Sequence, residues 1–342
     1  MIINMPIETG SYDIHLDFNS MNDLKSYTKN YQEVFVITDE ILYHIHAKRL
    51  IESLEKDPIF EVVKSGESSK SFITYESVIN SLISKGIKRN SLIIAFGGGV
   101  IGDLAGFVSA TLYRGIDYIQ IPTSLLSMID SSIGGKTGIN TKQGKNLVGA
   151  FYTPKAVIID PVFLETLPDK EYKNGMAEII KAAMIKDSIL FEKLENNSIG
   201  LLEMLERSIL VKKHIVDLDP KEENLRMLLN FGHSFGHAIE QKSGYTTPHG
   251  FAVAEGMVLA VKTGIKLNIT NKMVLKRMHN VMDKYDLGQL KEEPLKLIDQ
   301  LLFDKKFKNG KLNLILVKDI GDSIIYPITK EEIYECYHKE TH

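Results

Sequence analysis

Short apolar, β-branched runs recur through the first half of the chain, and the spaces between them carry helical periodicity. The runs are Val34–Thr38 (VFVIT), Phe60–Val63, Ser91–Phe96 (SLIIAF), Tyr118–Ile121 and Ala156–Ile159. Tyr12–Leu16 alternates polar and apolar residues ahead of them, as an exposed strand does. Helical patterns such as Ser71–Lys85 and Ile101–Ala110 lie between. Strands that alternate with helices predict a mostly parallel sheet covered by helices. After about Asp160 the pattern changes to long helical stretches, roughly 171–186, 199–217, 225–242, 249–268 and 270–285. Only Leu312–Val317 and Ser323–Tyr326 look like strands there, joined at Gly321-Asp322. The expected fold class is α/β: an N-terminal Rossmann-like parallel-sheet domain over 1–160, then a mainly α-helical domain over 161–342. No linker of low complexity separates them, so the expectation is tight packing with the cleft as the natural site.

The 342 residues suffice for two such domains, and the 44% apolar content suits packed cores. A net charge of -3 argues against nucleic-acid binding by bulk charge. The single cysteine, Cys336, rules out an intrachain disulfide and a cysteine-based zinc site, so any metal falls to histidines and carboxylates. The N-terminus lacks the basic and apolar regions of a signal peptide. The most apolar helical stretch, Phe251–Ala260, is short and carries Glu255, which fits a buried helix better than a membrane span. A reducing cytoplasm is the expected location.

The SLIIAF run leads straight into GGGVIGDLAG, Gly97–Gly106, and then a helical pattern. Glycines allow close backbone approach to a phosphate, and a helix N-terminus offers free N–H groups and a positive dipole end. The bland alternative is a tight turn. Gly97, Gly99 and Gly102 match G-x-G-x-x-G, but no acid follows about 20 residues on; the nearest later one is Asp117. Asp39, at the end of VFVIT, lies where a ribose diol is met in open α/β sheets. These features suggest a dinucleotide site with non-standard wiring. The long segment Pro122–Pro154 reads as irregular, with Asp130, Lys136, Asn140, Lys145 and Asn146 among glycines and hydroxyls. Lysines on such turns suit phosphate as point charges.

In the second half, His233 and His237 stand four apart in LLNFGHSFGHAIEQ, on one helix face, and His249 opens the next helical pattern. With Glu178 in NGMAEIIKAA they form a candidate catalytic metal set. A helix-start acid and an ordinary histidine pair are the alternatives. Lys181, Lys212, Arg226 and Asn230 lie nearby in sequence; together they suit an anionic substrate, singly they suit a solvated surface.

The runs GGGVIGDLAGFVSATLYRG, IPTSLLSMIDSSIGGKTGIN, GKNLVGAFYTPKAVIIDP, GMAEIIKAAMI, LLNFGHSFGHAIE and HGFAVAEGM, with a weaker DKK match at 304–306, together resemble the 3-dehydroquinate synthase family. The resemblance implies that Glu178, His233 and His249 hold zinc or cobalt, and it assigns His237 to the substrate phosphate instead. It implies NAD contacts at Asp39, Glu67, Lys70, Gly98, Gly99, Val100, Ile101, Gly102, Asp103, Thr123, Ser124, Lys136, Lys145, Phe163 and Thr166. It lines the substrate pocket with Asp130, Lys136, Asn146, Lys181, Lys212, Arg226, Asn230 and one lysine of Lys305–Lys306, with Lys306 taken here. Arg114 would reach the other subunit of a homodimer. The chain departs from the family at Ser124, Phe251 and Pro220, none of which removes a proposed ligand.

The implied reaction turns 3-deoxy-D-arabino-heptulosonate 7-phosphate into 3-dehydroquinate and phosphate. It runs through transient oxidation by NAD, phosphate elimination, reduction and intramolecular aldol closure. Lys136, Asn146, Asn230 and His237 are assigned to the phosphate, and Lys212 and Arg226 to the carboxylate. The alternatives are another sugar-phosphate cyclase, such as a 2-deoxy-scyllo-inosose synthase, a metal-dependent polyol dehydrogenase, or an inactive NAD-binding scaffold.

Overall fold

A computed structural model describes residues 1–7, 10–219, 224–287, 297, 301 and 310–338. The chain divides into two compact units, Met1–Pro168 and Asp169–His342.

The first unit is built on seven strands: β1 (Ile2–Ile7), β2 (Gly10–Leu16), β3 (Val34–Asp39), β4 (Ile59–Val63), β5 (Leu92–Gly97), β6 (Tyr118–Pro122) and β9 (Ala156–Ile159). Their order is β1-β2-β9-β6-β5-β3-β4. The β1–β2 pair is antiparallel, and every other pair is parallel. Strands β5, β6 and β9 are buried throughout, and β3 is buried up to its last residue. Helix-covered strands have no solvent face, which is why these segments read as continuous apolar runs. β1 carries Pro6 and lies at the sheet edge, where a missing N–H is tolerated.

Helices α1 (Leu24–Thr28), α2 (Glu40–Glu52), α3 (Phe72–Ser84) and α4 (Gly99–Thr111) complete the alternation. From β3 the chain passes through α2 to β4 on one side, then returns through α3 to β5 on the other side of β3. That reversal makes a switch point at the carboxyl ends of β3 and β5, where open α/β sheets hold ligands. Asp39 ends β3 and Gly97 ends β5.

The segment 122–154 is more regular than expected. It holds a π-helical turn, Ser127–Ser131, and a hairpin of β7 (Lys136–Thr141) and β8 (Gly144–Phe151). Gly138 and Gly149 pair across the hairpin so closely that a Cβ on Gly149 would lie 2.0 Å from Thr137 O. Glycine has no β propensity to advertise such a strand.

The second unit is helical: α5 (Asp169–Lys186), α6 (Ser188–Glu195), α7 (Leu201–Leu218), α8 (His233–Lys242), α9 (His249–Lys266), α10 (Lys272–Lys284) and α11 (Lys330–His338). A hairpin of β10 (Lys311–Asp319) and β11 (Asp322–Thr329) turns at Gly321, φ 84°. The stretch 225–242, expected as one helix, is two elements. A 3-10 turn, Leu225–Asn230, is separated from α8 by Phe231 and Gly232, whose φ is 79°. The break lets α8 pack hard against α9. A Cβ on Gly256 would lie 2.0 Å from Gly232 O, and one on Gly236 3.1 Å from Ala252 O. Among the described residues, no helix is long and apolar enough to cross a membrane.

Candidate active site

In the first unit the switch point is lined mainly by backbone. Gly98 caps α4 with no side-chain bond, and no acid occupies the first turn, so the positive helix end is uncompensated. The glycines divide by purpose. A Cβ on Gly97 would lie 2.6 Å from Ile101 Cβ, one on Gly102 2.9 Å from Gln120 Oε1, and one on Gly106 2.4 Å from Thr137 Cγ2. These three let α4 lie close on its neighbours. A Cβ on Gly98 meets only Ser124 Oγ at 3.4 Å, and one on Gly99 meets Ser131 Oγ at 3.0 Å. Gly98 and Gly99 are therefore the less crowded pair at the start of α4. Val100 is half-buried and Ile101 lies in the core, so Ile101 has only backbone to offer a ligand.

Asp39 caps α2. Its Oδ1 accepts from Ile41 N (2.9 Å), Leu42 N (3.0 Å) and the Ser65 hydroxyl (2.8 Å), which fixes the carboxylate's orientation. Lys70, buried, ion-pairs with Asp103 of α4. Lys70 O accepts from Asn140 N (2.8 Å), Asn140 Nδ2 donates to Glu67 Oε1 (2.6 Å), and Asn146 N donates to Asn140 Oδ1 (2.9 Å). Glu67, Lys70, Asp103 and Asn146 are thus drawn together around the β7–β8 hairpin. Lys136 and Lys145 are exposed on the same hairpin.

Thr123 is buried and donates its N–H to Gly97 O (3.1 Å); the Ser124 hydroxyl lies 2.9 Å from that of Ser127. Asp130 sits in the π-helical turn. Phe163 is buried edge-on against Phe96 and His46, and His46 Nε2 lies 2.7 Å from Thr166 Oγ1. Arg114 is exposed and held at φ 65° directly after Tyr113 at φ 51°, an uncommon backbone for consecutive non-glycine residues.

In the second unit the site is made of buried charge. Glu178, on α5, is 2% exposed. Lys181 ion-pairs with its Oε2, and its Oε1 accepts no hydrogen bond. His233 Nε2 lies 3.8 Å and His249 Nε2 3.7 Å from Glu178 Oε1. The opposite ring nitrogens are tied back: His233 Nδ1 to Phe231 O (3.2 Å) and His249 Nδ1 to Glu240 Oε2 (3.4 Å). An imidazole bonded at Nδ1 presents its Nε2 lone pair, so two lone pairs and a carboxylate oxygen converge. Ligands of a tetrahedral zinc stand roughly 3.4 Å apart, so a small contraction would complete three of its positions. The buried Oε1 without a hydrogen bond and the oriented lone pairs both fit a divalent ion.

Burial, with help from the Lys181 charge, pushes His233 well below its usual pKa, which keeps the ring neutral. Burial also pushes His249 down, but the Glu240 bond and the Glu178 and Glu240 charges outweigh it and raise the net value. A potential that attracts a proton to His249 also attracts a metal cation.

The buried charged side chains described in this unit are Lys181, Lys212 and Arg226 against Glu178, Asp219 and Glu240. They balance; a divalent ion tips the region positive and toward anions. Asp219 Oδ2 accepts from Asn224 N (2.7 Å) and Arg226 N (2.9 Å), which holds the turn that carries Arg226 and Asn230. His237 stacks edge-on against His233 at 5.5 Å and stands off the Glu178 carboxylate set. Lys305 and Lys306 lie outside the described residues.

Glu240 and His46 have no part in the sequence-based site. Glu240 carried a readable signal: it follows His233 and His237 at i+7 and i+3 on one helix face. His46 carried none, because its partner lies 120 residues away.

Comparison with known proteins agrees over nearly the whole chain. The family description "3-dehydroquinate synthase N-terminal" fits residues 60–174, and "3-dehydroquinate synthase C-terminal" fits residues 175–307. The 3-dehydroquinate synthase of Dictyoglomus thermophilum is 44% identical over 332 residues, covering 93% of this chain and 92% of the relative. A 2-deoxy-scyllo-inosose synthase complexed with carbaglucose-6-phosphate, NAD+ and Co2+ superposes with TM-score 0.88 at 25% identity, over 99% of each chain. The 2-epi-5-epi-valiolone synthase of Streptomyces hygroscopicus, with NAD+ and Zn2+ bound, superposes with TM-score 0.85 at 27% identity, over 97% of each.

Proposed function

Since the chain belongs to the 3-dehydroquinate synthase family, we propose that it is a phosphate-eliminating cyclase acting in the cytoplasm. It converts 3-deoxy-D-arabino-heptulosonate 7-phosphate to 3-dehydroquinate and phosphate. The observation that carries this reading is the convergence of His233 Nε2 and His249 Nε2 on Glu178 Oε1 beside buried cations. Glu178, His233 and His249 hold zinc or cobalt; NAD is held by the N-terminus of α4 and by Asp39. When bound, the metal supplies Lewis acidity at substrate hydroxyls and NAD a hydride acceptor that is regenerated in the cycle.

The chain's own groups supply recognition. Arg226 offers a bidentate fork and Lys212 a point charge to the substrate carboxylate. Asn230 and His237 donate to phosphate oxygens. Lys181 ion-pairs with Glu178 and balances the carboxylate's charge. In the first unit, Lys136 and Asn146 are the hairpin's groups for phosphate oxygens, with Asp130 nearby in the π-helical turn. Glu67, Lys70, Asp103, Thr123, Ser124, Lys145, Phe163 and Thr166 surround the dinucleotide.

The enzyme is a homodimer in this reading. Leu147, Gly149 and Phe151 share the outward face of β8, with Leu147 56% and Phe151 63% exposed, and a second copy covers them. Arg114 serves the partner's site, which gives its strained backbone a purpose. Leu147→Asp with Phe151→Asp should sediment as a monomer.

The direct test is phosphate release from the heptulosonate phosphate with catalytic NAD+ and added zinc. Chelator-sensitive release without net NADH is expected. The second reading is a cyclase for a neutral sugar phosphate, favoured by the close superposition on 2-deoxy-scyllo-inosose synthase. It requires that a substrate lacking the carboxylate be turned over faster, which buried Arg226 and Lys212 disfavour. One-for-one accumulation of NADH would instead make the chain a dehydrogenase.

A further inference from the structure

We propose that Glu240 is a positioning residue that aims His249 at the metal and thereby keeps His237 off it. The proposal rests on the Glu178–His233–His249 centre and assigns a role to a residue outside it.

Glu240 is 4% exposed. A buried carboxylate costs several kcal/mol in lost hydration unless its charge is used. Its Oε2 faces His249 Nδ1 at 3.4 Å, and the opposite nitrogen of that ring faces Glu178 Oε1 at 3.7 Å. A carboxylate on Nδ1 fixes the N–H there, turns the Nε2 lone pair outward and makes it more basic.

The two histidines of the centre differ in how they are held. His233 donates to Phe231 O, a backbone group two residues away that no side-chain change removes. Its side chain is 12% exposed. His249 stands at the first position of α9, its side chain is 30% exposed, and its tie is a side chain on α8. His249 is therefore the ligand whose aim depends on another residue.

A second possible ligand group, His237, Glu240 and His249, shares His249 with the first. The two groups need different faces of His249, because Glu178 meets Nε2 and Glu240 meets Nδ1. With Glu240 committed to Nδ1, the metal goes to the Glu178 side. His237 then stays outside the metal's ligand set.

The experiment uses the full-length chain and Co2+ as probe. Affinity is read by competition with a chromophoric chelator, and ligand geometry by the visible absorption of bound Co2+. Glu240→Ala should bind Co2+ about 10- to 100-fold more weakly and with an altered spectrum, while NAD affinity is unchanged. Glu240→Gln keeps an oxygen acceptor and should recover most of the affinity and the parent spectrum, which a general packing defect would not permit. Glu178→Gln serves as the control for the centre and should lose Co2+ outright. Parent affinity and spectrum in Glu240→Ala, with binding lost in Glu178→Gln, would overturn the role of Glu240 alone. Undiminished binding in Glu178→Gln would overturn the centre and this proposal with it. Two Co2+ per parent chain and one in Glu240→Ala would make Glu240 a ligand, which also overturns it.

Discussion

The two units prepare for their ligands by opposite means. At the switch point of the first unit, side chains are removed: Gly98 and Gly99 leave bare backbone at the start of α4, and in the proposed reading the attraction comes from a helix end and its free N–H groups. In the second unit, side chains that favour water are forced inside: Glu178, Lys181, Lys212, Arg226 and Glu240 are all buried. A backbone cradle costs little folding energy and grips weakly charged or extended ligands. Buried charge is costly to fold and gives strong, directed fields once a cation is in place. The first arrangement suits a carrier that binds and stays, the second suits reacting groups whose charge changes.

Glycine serves both units, but for different ends, and substitution separates them. The largest effect on stability is expected in the second unit. Gly256→Ala places a Cβ 2.0 Å from Gly232 O and 2.7 Å from Gly236 N, both backbone atoms that cannot swing aside. Chemical denaturation should show a loss of about 3 kcal/mol, with metal binding lost as α8 and α9 separate. An unchanged midpoint would mean that close helix approach does not hold the histidines.

Gly98→Ala in the first unit should behave in the opposite way. Gly98 has φ -71° and ψ -173°, which alanine adopts freely, and its Cβ would make an ordinary contact with Ser124. Stability should stay level or rise by about 0.5 kcal/mol. NAD affinity, measured by fluorescence titration, should fall on the order of 10-fold, about 1.4 kcal/mol. Intact NAD affinity would remove the backbone cradle from the account.

The smallest effect is expected where the second unit uses charge only for structure. Arg277 of α10 grips Glu195 of α6 through Nε (3.1 and 3.2 Å) and Nη2 (2.6 Å) and stacks over Phe191. The Arg277 bonds hold the Glu195 pKa below its ordinary value. A depressed carboxylate stabilises above its unfolded pKa, and that contribution fades as pH falls through the lowered folded value. Arg277→Ala should therefore cost about 0.5–1 kcal/mol at neutral pH, screened by solvent, and the gap should close in acid. A gap that persists in acid would assign the loss to stacking on Phe191.

The alternation of strand and helix is legible in the residues because buried parallel strands leave continuous apolar runs such as VFVIT and SLIIAF. The β7–β8 hairpin is not, since its pairing rests on Gly138 and Gly149 meeting face to face. The break before α8 is hidden for a related reason: LLNFGHSFG is helical in pattern, and only the packing against Val253 and Met257 makes Gly232 a turn. The histidine cluster is legible only in part: the i, i+4 spacing of His233 and His237 is local information, whereas the structure brings His233 and His249 to Glu178. What that spacing could not decide was which histidine of the pair joins Glu178. Nor could it show how the two rings near Glu178 are tied at Nδ1, by a carbonyl two residues away for His233 and by a glutamate on another helix for His249.

The most direct measurement is the zinc content of the purified chain and of Glu178→Gln after dialysis against buffered free zinc, read by mass spectrometry alongside NAD affinity. The account predicts one zinc per parent chain, more than about 100-fold weaker zinc binding in the variant, and equal NAD affinity in both. Full zinc occupancy in Glu178→Gln would contradict it, because the ion would then be held without the Glu178 carboxylate.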